Sequence, residues 1–203
     1  TVATEHESVL QAARAAARNG GHVLTILDVD REGRVDFSAG GPALSALADP
    51  RTFFFAFMHA NNETGVIHPI REIAAAARAV NPRLLILTDA IQSFGKIPVD
   101  FRALDVDFMT VAAHKFHGPK GAGALIARHG AGLRSMMFGG SHERSLRPGT
   151  EKAAAAAAMA LAAELATASR PVAREVSVPR DRLRDGLTAS ISDLFVNTPV
   201  DGA

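Results

Sequence analysis

The chain has 203 residues, 47% of them hydrophobic and 21% charged, a length and composition that can bury one sizeable core. Lysine and arginine number 22 against 21 aspartate and glutamate, a formal net charge of +1, and no basic block interleaved with aromatics marks a nucleic-acid binder. Cysteine is absent, which removes disulfides, thiolate metal sites and a cysteine nucleophile from what these residues can do alone.

Apolar runs alternate with helical patterns along the chain, which predicts an α/β fold with a mostly parallel sheet. Residues 8–18 read as a helix stopped by Gly20-Gly21, and residues 22–29 as a strand followed by a polar turn. Gly41-Pro42 opens a short helix that ends near Asp49-Pro50, and residues 53–58 form the next strand. The polar loop from His59 to Gly65 leads into an alanine-rich helix over 71–80, which Asn81-Pro82 terminates. Strands follow at 84–88, 107–112 and 122–128, the last two separated by a turn bearing Lys115. Glu151 opens a packed, alanine-rich helix to 166. The character changes at Ser169-Arg170-Pro171, after which 179–194 reads as an amphipathic helix. This division predicts a large domain over 1–168 and the start of a smaller one over 169–203. No run approaches the roughly 18 apolar residues of a membrane span and no leader pattern opens the chain, which predicts a cytoplasmic protein. The first residue is Thr1 rather than methionine, and the end lacks a clear closing element, so the chain reads as a fragment or a processed product.

Three successive predicted strands end in polar groups: Asn61 and Asn62 after the first, Asp89 and Gln92 after the second, His114 and Lys115 after the third. Ligands of open α/β sheets bind just beyond the carboxyl ends of the strands. If the strands are neighbours, an amide, a carboxylate and an amine meet in one crevice, the constellation that pyridoxal phosphate requires. A lysine amine can bond covalently to the cofactor aldehyde, an aspartate beside the pyridine nitrogen keeps it protonated, and side-chain amides can hydrogen-bond the phenolic oxygen. An imidazole can cover the ring face, and glycine-rich turns can hold the phosphate through backbone N–H groups.

Five ordered segments carry a family resemblance: Thr4-Glu5-His6-Glu7-Ser8-Val9, the run from His59 to Val66, the run from Thr88 to Lys96, the run from Ala113 to Gly121, and the run from Gly139 to Thr150. The sequence resembles the large domain of cysteine desulfurases, which are class V aminotransferase-like, fold type I pyridoxal-phosphate enzymes with a three-layer αβα large domain. The resemblance implies that Lys115 holds the cofactor covalently and acts on the substrate, and that Asp89 pairs with the pyridinium nitrogen. It implies that His6 stacks on the ring as a second catalytic group, that Gln92 and Asn62 approach the phenolic oxygen, and that Asn62 also meets the substrate carboxylate. His114 would contact the phosphate, and Thr150 would reach the phosphate of the partner subunit in a homodimer. The implied reaction takes sulfur from L-cysteine, leaving L-alanine and a persulfide for a sulfur acceptor or iron–sulfur scaffold protein.

Departures from the family pattern accompany the matches. Ala112 and Ala113 stand where members often carry a phosphate-binding serine. The family's threonine-bearing glycine-rich motif has no counterpart before Thr4, and the cysteine loop and substrate-binding arginine would lie beyond Ala203. Alternatives are a class V relative acting as a selenocysteine lyase or aminotransferase, or a catalytically silent binding or structural domain. The histidines His59, His68, His114, His117 and His142 lack metallohydrolase spacing, so no metal is expected. Residues 118–123 fit neither a Walker loop nor a dinucleotide fingerprint and read as a turn, Lys120 as a surface residue, and Asn62-Glu63-Thr64 as a chance glycosylation triplet.

Overall fold

The computed structural model describes residues 1–168 and 172–199. Its centre is a four-stranded sheet in the order β1-β2-β3-β4, formed by Phe54–Met58, Leu85–Asp89, Phe108–Ala112 and Gly123–Ala127. β1, β2 and β3 are parallel neighbours, while β4 returns antiparallel to β3. The helices are α1 (Glu7–Gly20), α2 (Pro42–Ala48), α3 (Ile70–Val80), α4 (Phe101–Leu104), α5 (Ala153–Ala168) and α6 (Val172–Ser190).

Strand alternation divides the sheet into two faces. Phe55, Phe57 and Ile86 pack with Ala43 and Leu47 of α2 and with Ile70, Ile73, Ala74 and Ala77 of α3. Farther along the sheet, Met109 and Val111 meet Phe116 and the small residues Ala162 and Ala166 of α5. The helix α5 is therefore a one-sided packing element rather than a buried one: its alanine edge approaches the sheet, and Leu161 and Leu165 remain exposed. The other face carries the paired positions Met58, Asp89 and Thr110 of three adjacent strands, the first two ending β1 and β2.

Polar ties fix the opposite end of the sheet. Asp107, just before β3, accepts hydrogen bonds from Ile86 N at 2.8 Å and from an Arg78 guanidinium nitrogen of α3 at 3.0 Å. Arg128, just after β4, reaches the second Asp107 oxygen at 3.3 Å. The Asn81 amide closes α3 by donating to Leu47 O and Thr52 O.

Two local expectations differ from the structure, and one element was not expected. Residues 22–29 make only an isolated parallel bridge, Val2 to Leu27, because hydrogen bonding beside them is confined to Thr1 and Ala3. The last helix runs through Pro179 instead of starting there; the ring removes one backbone donor, and the surrounding residues continue the helix. α4 is unanticipated, a single turn capped by Asp100, whose carboxylate accepts from Arg102 N and Ala103 N. The proposed boundary at 169–171 lies outside the described residues.

Candidate active site

The parallel register sets Met58 opposite Asp89 and Asp89 opposite Thr110, so the loops after β1, β2 and β3 leave the sheet side by side. This is the neighbour relation on which the convergence of Asn62, Asp89 and Lys115 depends.

Asp89 is only 4% exposed. Burial pushes its carboxyl above the usual aspartate range, against the opposing pull of the Ile91 N–H, a hydrogen bond with Thr110 and the nearby His6. A carboxylate in such a place gains more from a cationic partner than one in water. His6 lies at the start of α1, where its Nδ1 accepts from Ser8 N at 3.2 Å and sits 2.8 Å from Ser8 Oγ. Acceptance at Nδ1 places the proton of the neutral ring on Nε2. The imidazole itself is exposed, and it lies near enough to act on the Asp89 charge.

Lys115 ends a single 3-10 turn, Ala113–Lys115, directly after β3. The Ala113 carbonyl accepts from both Phe116 N at 3.1 Å and Gly118 N at 2.8 Å, and Ala113 N bonds Ala122 O at 3.0 Å. His117 adopts a left-handed φ of 67° within this turn. Gly118 is required there, since a Cβ would stand 2.8 Å from the Ala113 Cβ. Phe116 is buried and meets the Phe94 ring at a centroid distance of 4.9 Å, so the turn is anchored to the loop after β2. Among the described residues Lys115 has neither a hydrogen-bonding nor an ion-pair partner, and its charge adds to the desolvation that lowers the neighbouring Lys96 ammonium.

The remaining sequence candidates are distributed unevenly. Gln92 is half-buried, and its Oε1 accepts from Lys96 Nζ at 2.8 Å. Asn62 is exposed, whereas Asn61 is buried as scaffold, donating to Thr4 O at 2.7 Å and accepting from Glu63 N and Thr64 N. Asn61 thereby ties the loop after β1 to the segment that carries His6. His114 is exposed, and so is Thr150, which lies apart on the loop before α5. No group of three or more potential metal ligands occurs among the described residues.

Two residues at this end of the sheet are absent from the sequence-derived candidates. Glu5 is buried; its Oε1 accepts from Met58 N at 2.6 Å, and its Oε2 has no partner among the described residues. Burial, opposed by the Met58 hydrogen bond and reinforced by Asp89, pushes its carboxyl up to about 7. Lys96 is the other. The signal for Glu5 was its place immediately before His6, and for Lys96 its spacing of four from Gln92 across a turn.

Residues 1–193 match the family described as Aminotransferase class-V. The chain belongs to that family. It is 44% identical over 201 residues to the cysteine desulfurase IscS of Anaeromyxobacter dehalogenans (strain 2CP-C), a match covering 97% of this chain and 48% of that protein. It is 39% identical over 191 residues to a cysteine desulfurase of Enterobacter agglomerans, covering 94% of this chain and 46% of the relative. Among solved structures, a NifS-like protein superposes with a TM-score of 0.90 at 33% identity, covering 98% of this chain and 53% of the other. SspA in complex with cysteine gives 0.69 at 29% identity, over 80% of this chain and 46% of that one. The chain thus spans about half the length of the curated relatives it matches. The mixed, mostly parallel sheet with flanking helices is the fold type I architecture of this family. Among the described residues no helix is long and apolar enough to cross a membrane.

Proposed function

We propose that these residues form the cofactor-binding large domain of a pyridoxal-phosphate-dependent cysteine desulfurase, with 1–168 as that domain and 169–203 leading into a smaller one. The observation that carries this reading is the buried Asp89 carboxylate on a strand adjacent to the one that delivers an unpartnered Lys115. The donor set fits the cofactor: among the described residues Asp89 has no ion-pair partner and Lys115 has no acceptor, and His6, near enough to act on the Asp89 charge, offers an exposed ring. When bound, pyridoxal phosphate supplies an electron sink for the bond being broken.

The protein's own contribution follows from placement. Asp89 holds a proton on the pyridine nitrogen, its burial making the resulting ion pair stronger than it would be in water. Lys115 would hold the cofactor, and its amine would move the proton from the substrate α-carbon. His6 covers the ring face, Gln92 and Asn62 address the phenolic oxygen, Asn62 also addresses the substrate carboxylate, and His114 addresses the phosphate. None of the 203 residues is cysteine, so the thiol that takes the sulfur comes from outside this sequence. L-Cysteine is the substrate, L-alanine the product, and the persulfide is passed to an acceptor such as an iron–sulfur scaffold protein.

Thr150 serves the neighbouring subunit of a homodimer in this reading. Its exposed position and the nearby exposure of Met136, Met137 and Phe138, the last 99% accessible, support an interface on that loop.

The test is an absorption spectrum after addition of pyridoxal phosphate, with Lys115→Ala in parallel. A visible band that requires Lys115 is expected; folded protein without a band, or a band that survives the substitution, overturns the proposal. Product analysis of protein reconstituted with a thiol-bearing partner separates sulfur release from cysteine from keto-acid-dependent amino transfer, and the latter would reject the desulfurase assignment.

A further inference from the structure

The carboxamide of Gln92 can in principle face a ligand with either end, because a half-turn exchanges its oxygen and nitrogen at nearly unchanged shape. Here that freedom is removed. Lys96 Nζ donates to Gln92 Oε1 at 2.8 Å, and an ammonium has donors only, so it cannot satisfy the amide in the flipped orientation. Gln92 Nε2 is consequently the end left for a ligand.

The backbone between the two side chains is held. Ser93 is buried, and its carbonyl accepts from Lys96 N and Ile97 N, both at 3.0 Å. Phe94 N donates to Ala90 O at 2.9 Å, and the Phe94 ring packs edge-on against Phe116, the residue after Lys115. Gly95 completes the turn with φ 78°, and a Cβ there would come within 2.9 Å of Ala166 and 3.0 Å of Phe116. The Lys96 ammonium is also partly withdrawn from water and close enough to Lys115 to feel its charge. An ordinary surface pair at this spacing contributes little to stability. Its position beside Asp89 and Lys115 gives this pair a different consequence.

We propose that Lys96 is a positioning residue that locks the Gln92 carboxamide with its N–H donors available to the cofactor, so that the site selects a ring bearing an anionic oxygen acceptor. This rests on the pyridoxal-phosphate reading given above. Lys96 touches neither substrate nor cofactor in this role; it acts through Gln92. An arginine at position 96 preserves the function because guanidinium also donates without accepting, whereas glutamine or methionine releases the amide.

The experiment measures pyridoxal phosphate affinity and the ratio of near-ultraviolet to visible absorption for the parent chain, Lys96→Met, Lys96→Arg, Gln92→Ala and the double variant Lys96→Met/Gln92→Ala. Loss of an oriented donor to an anionic oxygen is expected to weaken binding about tenfold and to raise the near-ultraviolet share, which reports the neutral phenol. Lys96→Met and Gln92→Ala each produce this change, the double variant is no worse than Gln92→Ala, and Lys96→Arg restores the parent ratio. Additive effects in the double variant, an unaltered Lys96→Met spectrum, or failure of Lys96→Arg to rescue would each overturn the proposal. A parent chain with no Lys115-dependent band overturns the cofactor reading and this inference together; a parent band with an inert Lys96→Met overturns only the inference. Thermal melts of every variant identify any loss of fold, and Lys96→Gln supplies a second amide-releasing variant should methionine destabilise the turn.

Discussion

Met58 N, the last backbone donor of β1, is satisfied by the side chain of Glu5 rather than by another strand, at 2.6 Å. The bond fastens the residue preceding His6 to the strand that adjoins Asp89, and it does so with a carboxyl group held up near 7. A carboxyl raised in this way binds its proton more tightly in the folded chain than in the unfolded one. Its contribution is complete below about pH 4.5 and is lost as pH rises through about 7.

The buried His59 has the opposite sign. Burial, with His68 adding repulsion, lowers its imidazole to about 4, and its contribution is present above pH 6.5 and lost as pH falls through 4. Each effect amounts to about 3 kcal/mol at full extent. The raised Asp89 adds to the slope from Glu5, and the lowered His68 adds to that from His59. Denaturant unfolding of the parent chain between pH 4.5 and 6.5 is therefore expected to give a nearly flat profile. Glu5→Gln should make stability rise with pH in that window, and His59→Asn should make it fall. Unchanged slopes in both variants would refute the account.

Asp89→Asn keeps the shape of the side chain and removes a buried charge. The apo protein is expected to melt at an equal or higher temperature, while pyridoxal phosphate affinity drops by about tenfold or more. Calorimetry and an absorbance titration on the same preparation check the two halves. A fall in both would assign Asp89 to the scaffold.

Asp107 is 7% exposed in its side chain and joins the Ile86 backbone to two arginines. Asp107→Ala is expected to cost about 3 kcal/mol, because it strands the Ile86 N–H and the half-buried Arg78. Arg128→Ala, on a more exposed partner, should cost ~1 kcal/mol or less. Urea midpoints at constant m-value measure both, and equal costs would contradict the burial argument.

Gly95→Ala combines a left-handed φ with a Cβ pressed between Ala166 and Phe116. The expected loss is about 2–4 kcal/mol, from the αL penalty and overpacking together. Thermal denaturation tests it. A variant as stable as the parent would mean that α5 can withdraw freely from the lysine turn.

Much of the sheet was legible because Phe54–Met58, Leu85–Asp89 and Phe108–Ala112 are short apolar runs bounded by polar turns, the signature of parallel strands buried between helices. Residues 22–29 have the same composition but make only one bridge, since strand status requires a neighbour and composition cannot supply one. At the site, the placement of Asp89 and Lys115 at the ends of neighbouring strands was legible, because each follows a short apolar run. The division of labour between Asn61 and Asn62 was not, because adjacent identical residues differ only in which way the backbone turns them. Glu5 and Lys96 were hidden for a related reason: each acts through a hydrogen-bonding partner that the fold had first to bring within reach.

The double hydrogen bond at the Ala113 carbonyl has a mechanical corollary. With Phe116 N and Gly118 N both attached to one oxygen, and with Phe116 buried, the main chain around Lys115 behaves as a fixed post. In the role proposed for Lys115, any travel of the amine between cofactor and substrate would come from rotation within its own four-carbon stem. The amine would then work within a sphere centred on that fixed turn, and a substrate would have to be brought inside that radius by the groups around it.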